Sequence, residues 1–309
     1  MEGMVLPGGT SDAVPLSIAP NDLRQLADHD AAPRTFDGGA GPLAALVTGG
    51  SATRGTALLV AGYTGSKEDF APLLAPLAAA GVRAVAIDQR GQYESPGPDD
   101  PGRYGVAELA CDLLAVGRAL RTDVGGPVHL VGHSFGGLVA RAAVLTDPAV
   151  FASLTLLGSG PSRLTGRRAE LLDHLAPLLE AGGVELVHAT MEQLAMTDPR
   201  AQAVPEATRR FLATRFLRNA AAGLRGMADA MLTEPDRVAE LAAAGVPVLV
   251  AHGEADDAWL PSVQADMARR LGARHEVIDG SIHSPAVENP PRTVAVLLDF
   301  WASVAGGDR

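Results

Sequence analysis

Val131-Gly132-His133-Ser134-Phe135-Gly136-Gly137 is the stretch on which the reading of this chain turns. Ahead of it, the mostly apolar run Pro127–Val131 reads as a short buried strand. Behind it, Leu138–Leu145 reads as a helix with small residues on one side. A strand, a tight turn and a helix, with serine at the apex, is the G-x-S-x-G nucleophile-elbow pattern. The glycines have a steric reason. The serine must sit in a strained backbone conformation, and side chains at 132 and 136 would clash across the turn. The turn lifts the Ser134 hydroxyl clear of the sheet and aims the Phe135 N–H into the same space. In a chain with 35 glycines, a glycine-rich strand–helix turn with a capping serine also fits these residues. The flanking sequence has to decide.

Working outward, short apolar strands alternate with helices. Thr56–Ala61 reads as a strand, Gly62–Ser66 as a turn, and a helix follows to about Ala80. Ser66 with Asp69 three residues on has the spacing of a helix-start capping pair. A strand at Val82–Asp88, a loop at Gln89–Arg103 and a helix at Val106–Leu120 lead into the elbow. A strand at Ala152–Leu157 follows it. Upstream, Arg34–Phe36 and Ala44–Val47 read as an edge hairpin. Residues 1–33 read as a loose arm, or as a short helix near Asn21–Asp28. The alternation predicts an α/β fold: a mostly parallel, doubly wound sheet covered on both faces.

The pattern breaks after Gly158. Arg167–Leu179, Val184–Met196, Glu206–Asn219 and Ala221–Leu232 read as amphipathic helices punctuated by Pro199 and Pro205. This predicts a helical cap inserted at 159–235 into a core formed by 1–158 and 236–309. Met191, Met196, Leu212, Met227 and Met231 either line a pocket or pack the cap on itself. Arg209, Arg210, Arg215 and Arg218 read as a solvated helix face, with recognition of a substrate carboxylate as the alternative. Strands and helices then resume: Asp236–Ala244 helix, Val246–Ala251 strand, Pro261–Leu271 helix, His275–Ile278 strand, Pro291–Val304 helix.

The 309 residues are 47% hydrophobic, enough for a large core, and the net charge of −11 comes with no basic cluster, which argues against a nucleic-acid partner. The single cysteine, Cys111, excludes an internal disulfide and a multi-cysteine metal site, and its helical context predicts a small buried residue. No secretory leader and no apolar run of membrane length is read, so a cytoplasmic protein without a membrane partner is expected. Oligomeric state stays open.

A serine hydroxyl needs a base within reach, and the base needs an orienting acid. In a doubly wound sheet such groups belong on loops past the carboxyl ends of strands. The loop His252–Pro261 offers Asp256 as the acid, with Asp257 and Glu254 as alternatives and a solvated acidic turn as the plain reading. The loop Asp279–Pro285 offers His283 as the base. Its placement past the last strand sets it apart from the other histidines. For an oxyanion, the N–H of Phe135 is one donor and that of Tyr63 the second, with Thr64 as fallback.

The order Ser134, Asp256, His283, each on a post-strand loop, resembles the α/β-hydrolase superfamily over nearly the full length. Asp88-Gln89-Arg90-Gly91, Gly253-Glu254-Ala255-Asp256 and Gly280-Ser281-Ile282-His283-Ser284-Pro285 match patterns common there. Asp88 and Arg90 are expected to brace loops. Many members carry His-Gly before the oxyanion residue, whereas Ala61-Gly62 stands here. The family's haloalkane dehalogenases and epoxide hydrolases place aspartate at the elbow, so Ser134 argues against both. The loop Gly158-Ser159-Gly160 carries no acid, which leaves the acid to the later loop. The resemblance implies a serine hydrolase, with no metal or organic cofactor, cleaving a carboxylic ester, lactone or thioester of a small to medium, partly apolar small molecule through an acyl-serine. Carbon–carbon bond hydrolysis, perhydrolysis or acyl transfer would use the same triad. A non-catalytic ligand-binding protein on the same scaffold is the reading from another class.

Overall fold

The computed structural model describes residues 25–306, except 51, 197–201 and 203. Eight strands form one sheet in the order β1-β2-β4-β3-β5-β6-β7-β8. They are β1 Ala32–Gly38, β2 Gly41–Val47, β3 Thr56–Val60, β4 Arg83–Ile87, β5 Val128–His133, β6 Ser153–Leu157, β7 Val248–Gly253 and β8 Arg274–Ile278. β1 and β2 form the expected antiparallel hairpin, which joins β4 antiparallel; every other pair is parallel.

The central strands β3, β5 and β6 are buried along their whole length, as continuous apolar runs in a sheet covered on both sides must be. The two-residue period sorts their side chains. Leu58, Val60 and Leu130 join the core beneath α2 (Val106–Val124) and α3 (Phe135–Thr146). Ala57, Leu59 and Val131 join the core beneath α1 (Ala71–Ala79) and the closing helix Pro290–Gly306.

From β3 the chain first runs to β4 on one side, then crosses back to β5 on the other. The crevice of such a sheet lies where the strand order reverses. Val60 of β3 pairs with Gly132 of β5, so the turn after β3 and the elbow after β5 emerge side by side.

Between β6 and β7 lie α4 (Arg167–Ala195), α5 (Glu206–Leu217) and α6 (Ala221–Thr233). α4 is broken at Gly182 and Gly183, the latter at φ +67°, which divides it where the sequence predicts two helices. The short helix α7 (Val238–Ala243) precedes β7, α8 (Pro261–Leu271) joins β7 to β8, and α9 (Pro285–Glu288) precedes the closing helix, α10.

The buried guanidinium of Arg141, on α3, clasps both ends of this helical segment. It donates to Pro161 O on one side and to Glu234 Oε1 (2.8 Å) on the other.

Four expectations are corrected. Cys111 is exposed on α2, because the buried stripe of that helix passes through Leu109, Ala110, Leu113 and Val116 instead. Arg215 is not part of a solvated face: Nη1 bonds Asp69 Oδ1 at 2.6 Å, and its side chain is 12% exposed. The helix after the elbow begins at Phe135, so the turn is tighter than its glycines suggest. His252 lies inside β7.

Met227 and Met231 are core residues, whereas Met196 is 72% exposed. Pro199 and most of the N-terminal arm lie outside the described residues; the part of the arm that is described, from Gln25, is not helical. No helix among the described residues is long and apolar enough to cross a membrane.

Candidate active site

Ser134 is the residue between β5 and α3, at φ 54° and ψ −123°. A non-glycine residue with positive φ is costly, and the surroundings must enforce it. Ser134 N donates to Leu157 O (2.9 Å) and Gly137 N to Ser134 O (2.9 Å), which pins the turn to β6 and to its own helix. A Cβ at Gly132 would strike the Gly136 carbonyl, and one at Gly136 would lie 2.5 Å from Ala61 O. Both obstacles are backbone, so the glycine requirement read from the sequence has a physical cause here.

His283 Nε2 lies 2.9 Å from Ser134 Oγ, and His283 Nδ1 lies 2.9 Å from Asp256 Oδ1. Three residues spread over 150 positions of sequence are thus joined in one chain of hydrogen bonds. The loops that carry Asp256 and His283 are zipped together: Glu254 N donates to Ile278 O (3.1 Å) and Ala255 N to Ser281 O (3.1 Å).

Asp256 accepts two further bonds, from Ala258 N (2.9 Å) and from Gln264 Nε2 (2.9 Å). Burial by itself would raise its carboxyl pKa; the His283 imidazole and these donors outweigh that and hold it below the usual carboxylate range. The neighbouring acids are engaged elsewhere. Asp257 pairs with Arg168 (2.5 Å), and Glu254 accepts from Gly280 N (3.2 Å). Of the three candidates, Asp256 is the one that the fold brings into hydrogen-bond contact with His283.

Several residues not assigned from sequence support this array. His133 Nε2 bonds the backbone oxygen of His283 at 2.8 Å. Burial, then the neighbouring His283, keep the His133 ring in its neutral form. Glu288 Oε2 accepts from Ile282 N (2.7 Å) and Ser284 N (3.0 Å), fixing the backbone on either side of His283. Such helpers carry no local motif and become visible only when distant loops meet. Asp88 and Arg90 brace loops as expected: Asp88 Oδ2 binds Lys67 Nζ (2.9 Å), and Arg90 binds Asp112 (2.9 Å) and Arg103 O (2.8 Å).

The two candidate oxyanion donors border Ser134. Phe135 is the first residue of α3, where helical N–H groups lack an internal partner. Tyr63 lies in the turn after β3, and a Cβ on the preceding Gly62 would stand 2.9 Å from Ser134 Cβ. Neither N–H donates to a protein acceptor among the described residues. Thr64, the fallback, is at φ 59°. The Tyr63 hydroxyl donates to Leu224 O of α6 (3.2 Å), tying this turn to the helical segment. Ser134 and His283 are only 9% and 8% exposed. No group of three or more metal-ligating side chains is found among the described residues.

Comparison with known proteins agrees with this architecture. A protein of Variovorax paradoxus (strain S110), provisionally named carbamate hydrolase RutD, is 39% identical over 126 residues; the match spans 41% of this chain and 46% of that protein. A Bacillus subtilis (strain 168) protein, provisionally named a 2-succinyl-6-hydroxy-2,4-cyclohexadiene-1-carboxylate synthase, is 27% identical over 79% of this chain and 89% of its own length. Among solved structures, a thermophilic esterase from Thermogutta terrifontis superposes with a TM-score of 0.69 at 24% identity, covering 89% of this chain and 99% of that one. The alpha/beta hydrolase family model matches residues 57–296, which takes in the turn after β3, the elbow and the loops that carry Asp256 and His283. With its sheet order and its elbow in agreement, this chain belongs to the alpha/beta hydrolase family.

Proposed function

We propose that this hydrolase cleaves a carboxylic ester, with lactones and thioesters in the same range, through an acyl-serine intermediate. The alignment of Ser134 Oγ, His283 and Asp256 at 2.9 Å per link carries the reading. His283 Nε2 takes the Ser134 proton as Oγ attacks the acyl carbon. The N–H groups of Phe135 and Tyr63 hold the oxygen on which charge develops. Collapse of the tetrahedral intermediate expels the leaving group, which takes the proton from His283. Water then enters, gives a proton to the same nitrogen and attacks the acyl-serine. The carboxylate of Asp256 keeps the His283 ring in the required tautomer and stabilises its cationic form.

Residues 159–235 are read as a cap that bounds the substrate space over residues 1–158 and 236–309. Its Ala-, Leu- and Met-rich helices suit a small to medium, partly apolar acyl or leaving group. Carbon–carbon chemistry on the same triad is the second reading, motivated by the synthase name of the Bacillus relative. The name of the Variovorax relative adds carbamates to the substrates worth testing.

The test is intact-protein mass after a fluorophosphonate, with Ser134→Ala alongside, followed by a panel of esters, lactones, thioesters and carbamates. One adduct per chain, absent from the variant, is expected. A folded protein that takes no adduct would favour a ligand-binding role.

A further inference from the structure

Two glutamines on the loop after β4, Gln89 and Gln92, are buried and reach across to the turn after β3. Gln92 Nε2 donates to Gly62 O at 2.9 Å, and Gln89 Nε2 donates to Ala61 O at 2.8 Å. The Gly62 carbonyl belongs to the same peptide unit as the Tyr63 N–H. In a trans peptide the two point in opposite directions, and there is no cis bond among the described residues. A donor that fixes the carbonyl on one side therefore fixes the N–H on the other.

That turn needs fixing. Gly65 N donates to Gly62 O (3.1 Å), and Thr64 is held at φ 59°, a region that a β-branched residue enters only at a cost. Ala61, just before the turn, has no polar side chain to brace it.

The amides themselves point the same way. Oε1 of Gln89 and Oε1 of Gln92 are buried without a hydrogen-bond partner among the described residues. A half-satisfied buried amide works against stability, and an apolar side chain of similar length would serve a core better. Each amide makes a single bond, and that bond ends on the turn.

We propose that Gln92 is a positioning residue for oxyanion stabilisation: it sets the Gly62–Tyr63 peptide plane so that the Tyr63 N–H faces the reacting centre beside Ser134, and Gln89 braces the peptide before it. This rests on the serine-hydrolase reading above. Gln92 is the cleaner position to alter. Gly62 O keeps its bond from Gly65 N when Gln92 is replaced, whereas Ala61 O has no other donor among the described residues when Gln89 is.

The experiment compares wild type, Gln92→Met (equal length, no donor) and Gln92→Glu (same shape, acceptor in place of donor). The wild type is first labelled with the fluorophosphonate. Absence of an adduct there refutes the serine-hydrolase reading, and this inference with it. With the wild type labelled, labelling rate, kcat and KM on p-nitrophenyl acetate, inhibition by a trifluoromethyl ketone, and Tm are measured for all three. Labelling rate and ketone inhibition decide if that ester is not turned over. Both variants are expected to lose kcat by about 10–100-fold at nearly constant KM, less than loss of a whole oxyanion donor. Labelling rate and ketone affinity should fall by a similar factor, with Tm within a few degrees. Rates within twofold of wild type in both variants overturn the proposal. So does a loss confined to KM, or failure of both variants to fold, since the amide would then serve the fold alone.

Discussion

Asp256→Asn, set against Asp257→Asn, tests the proposal that Asp256 and not its neighbour is the triad acid. Asp256 stands between three donors: His283 Nδ1 and Ala258 N face Oδ1, and Gln264 Nε2 faces Oδ2, each at 2.9 Å. An asparagine must turn its NH2 towards one of these sides. Turned towards His283, it opposes two donors and drives the ring to the wrong tautomer. Turned towards Gln264, it opposes one amide NH2. Gln264 has a spare Oε1, but flipping to present it gives up the 2.7 Å bond from Nε2 to Trp259 O. In either orientation the negative charge that stabilises the cationic His283 is gone. Loss of such a partner costs about 10³–10⁴ in kcat, or about 4–5.5 kcal/mol of transition-state stabilisation. Asp257→Asn removes the charge from a partly buried pair with Arg168 (side chains 13% and 27% exposed) but keeps an acceptor for the guanidinium and touches neither Ser134 nor His283, so it should leave kcat within a few-fold. The assay is kcat on the best substrate of the panel, with titration of active serine by fluorophosphonate to correct for inactive protein. Equal losses in the two variants, or an Asp256→Asn enzyme within tenfold of wild type, would refute the assignment.

Three further outcomes are expected. Gly136→Ala places a methyl 2.5–2.6 Å from two backbone carbonyls and should cost about 3 kcal/mol or more in denaturant unfolding, whereas Gly126→Ala, whose nearest neighbour is 3.9 Å away, should be close to neutral. His129 is buried, bonded to Ser153 Oγ (2.8 Å) and stacked on Trp301, and burial, then Arg54, push its pKa down from 6.5 to about 4. The unfolded chain therefore binds the extra proton between those values, and stability falls as pH falls through that window, by about 2 kcal/mol at pH 5; His129→Phe should flatten this slope in chemical denaturation. Arg215→Ala breaks the Asp69 pair and should loosen α5, seen as faster limited proteolysis within Glu206–Leu217 and a loss of about 1–2 kcal/mol; unchanged cleavage would mean that the pair does not hold the helix.

Much of this protein was legible along the chain because its signals are local. Continuous apolar strands alternating with helices dictate a buried parallel sheet, and Gly132 and Gly136 on either side of Ser134 mark a tight turn that has no room for a Cβ at those two positions. Chain order and position after strands single out His283 as the candidate base and confine the candidate acids to one loop, with Asp256 read first among them. The choice among Glu254, Asp256 and Asp257 was not legible, since three carboxylates in four residues look alike until Arg168 and Gly280 claim two of them. Cys111 and Arg215 were misread for a related reason: a helical stripe states a period, and only packing states which side is covered. His133, Glu288, Gln264, Gln89 and Gln92 left no trace in local pattern, because each acts on a backbone or side-chain atom brought near by another loop. The sequence by itself thus determined the sheet and the elbow, and put Ser134 and His283 forward as candidate nucleophile and base, through steric and hydrophobic rules that operate within a few residues. The tertiary structure alone decided that Asp256 is the carboxylate facing His283 and that Gln89 and Gln92 reach the carbonyls of the turn after β3, since hydrogen bonds reach only about 3 Å and depend on groups that the fold must first bring together.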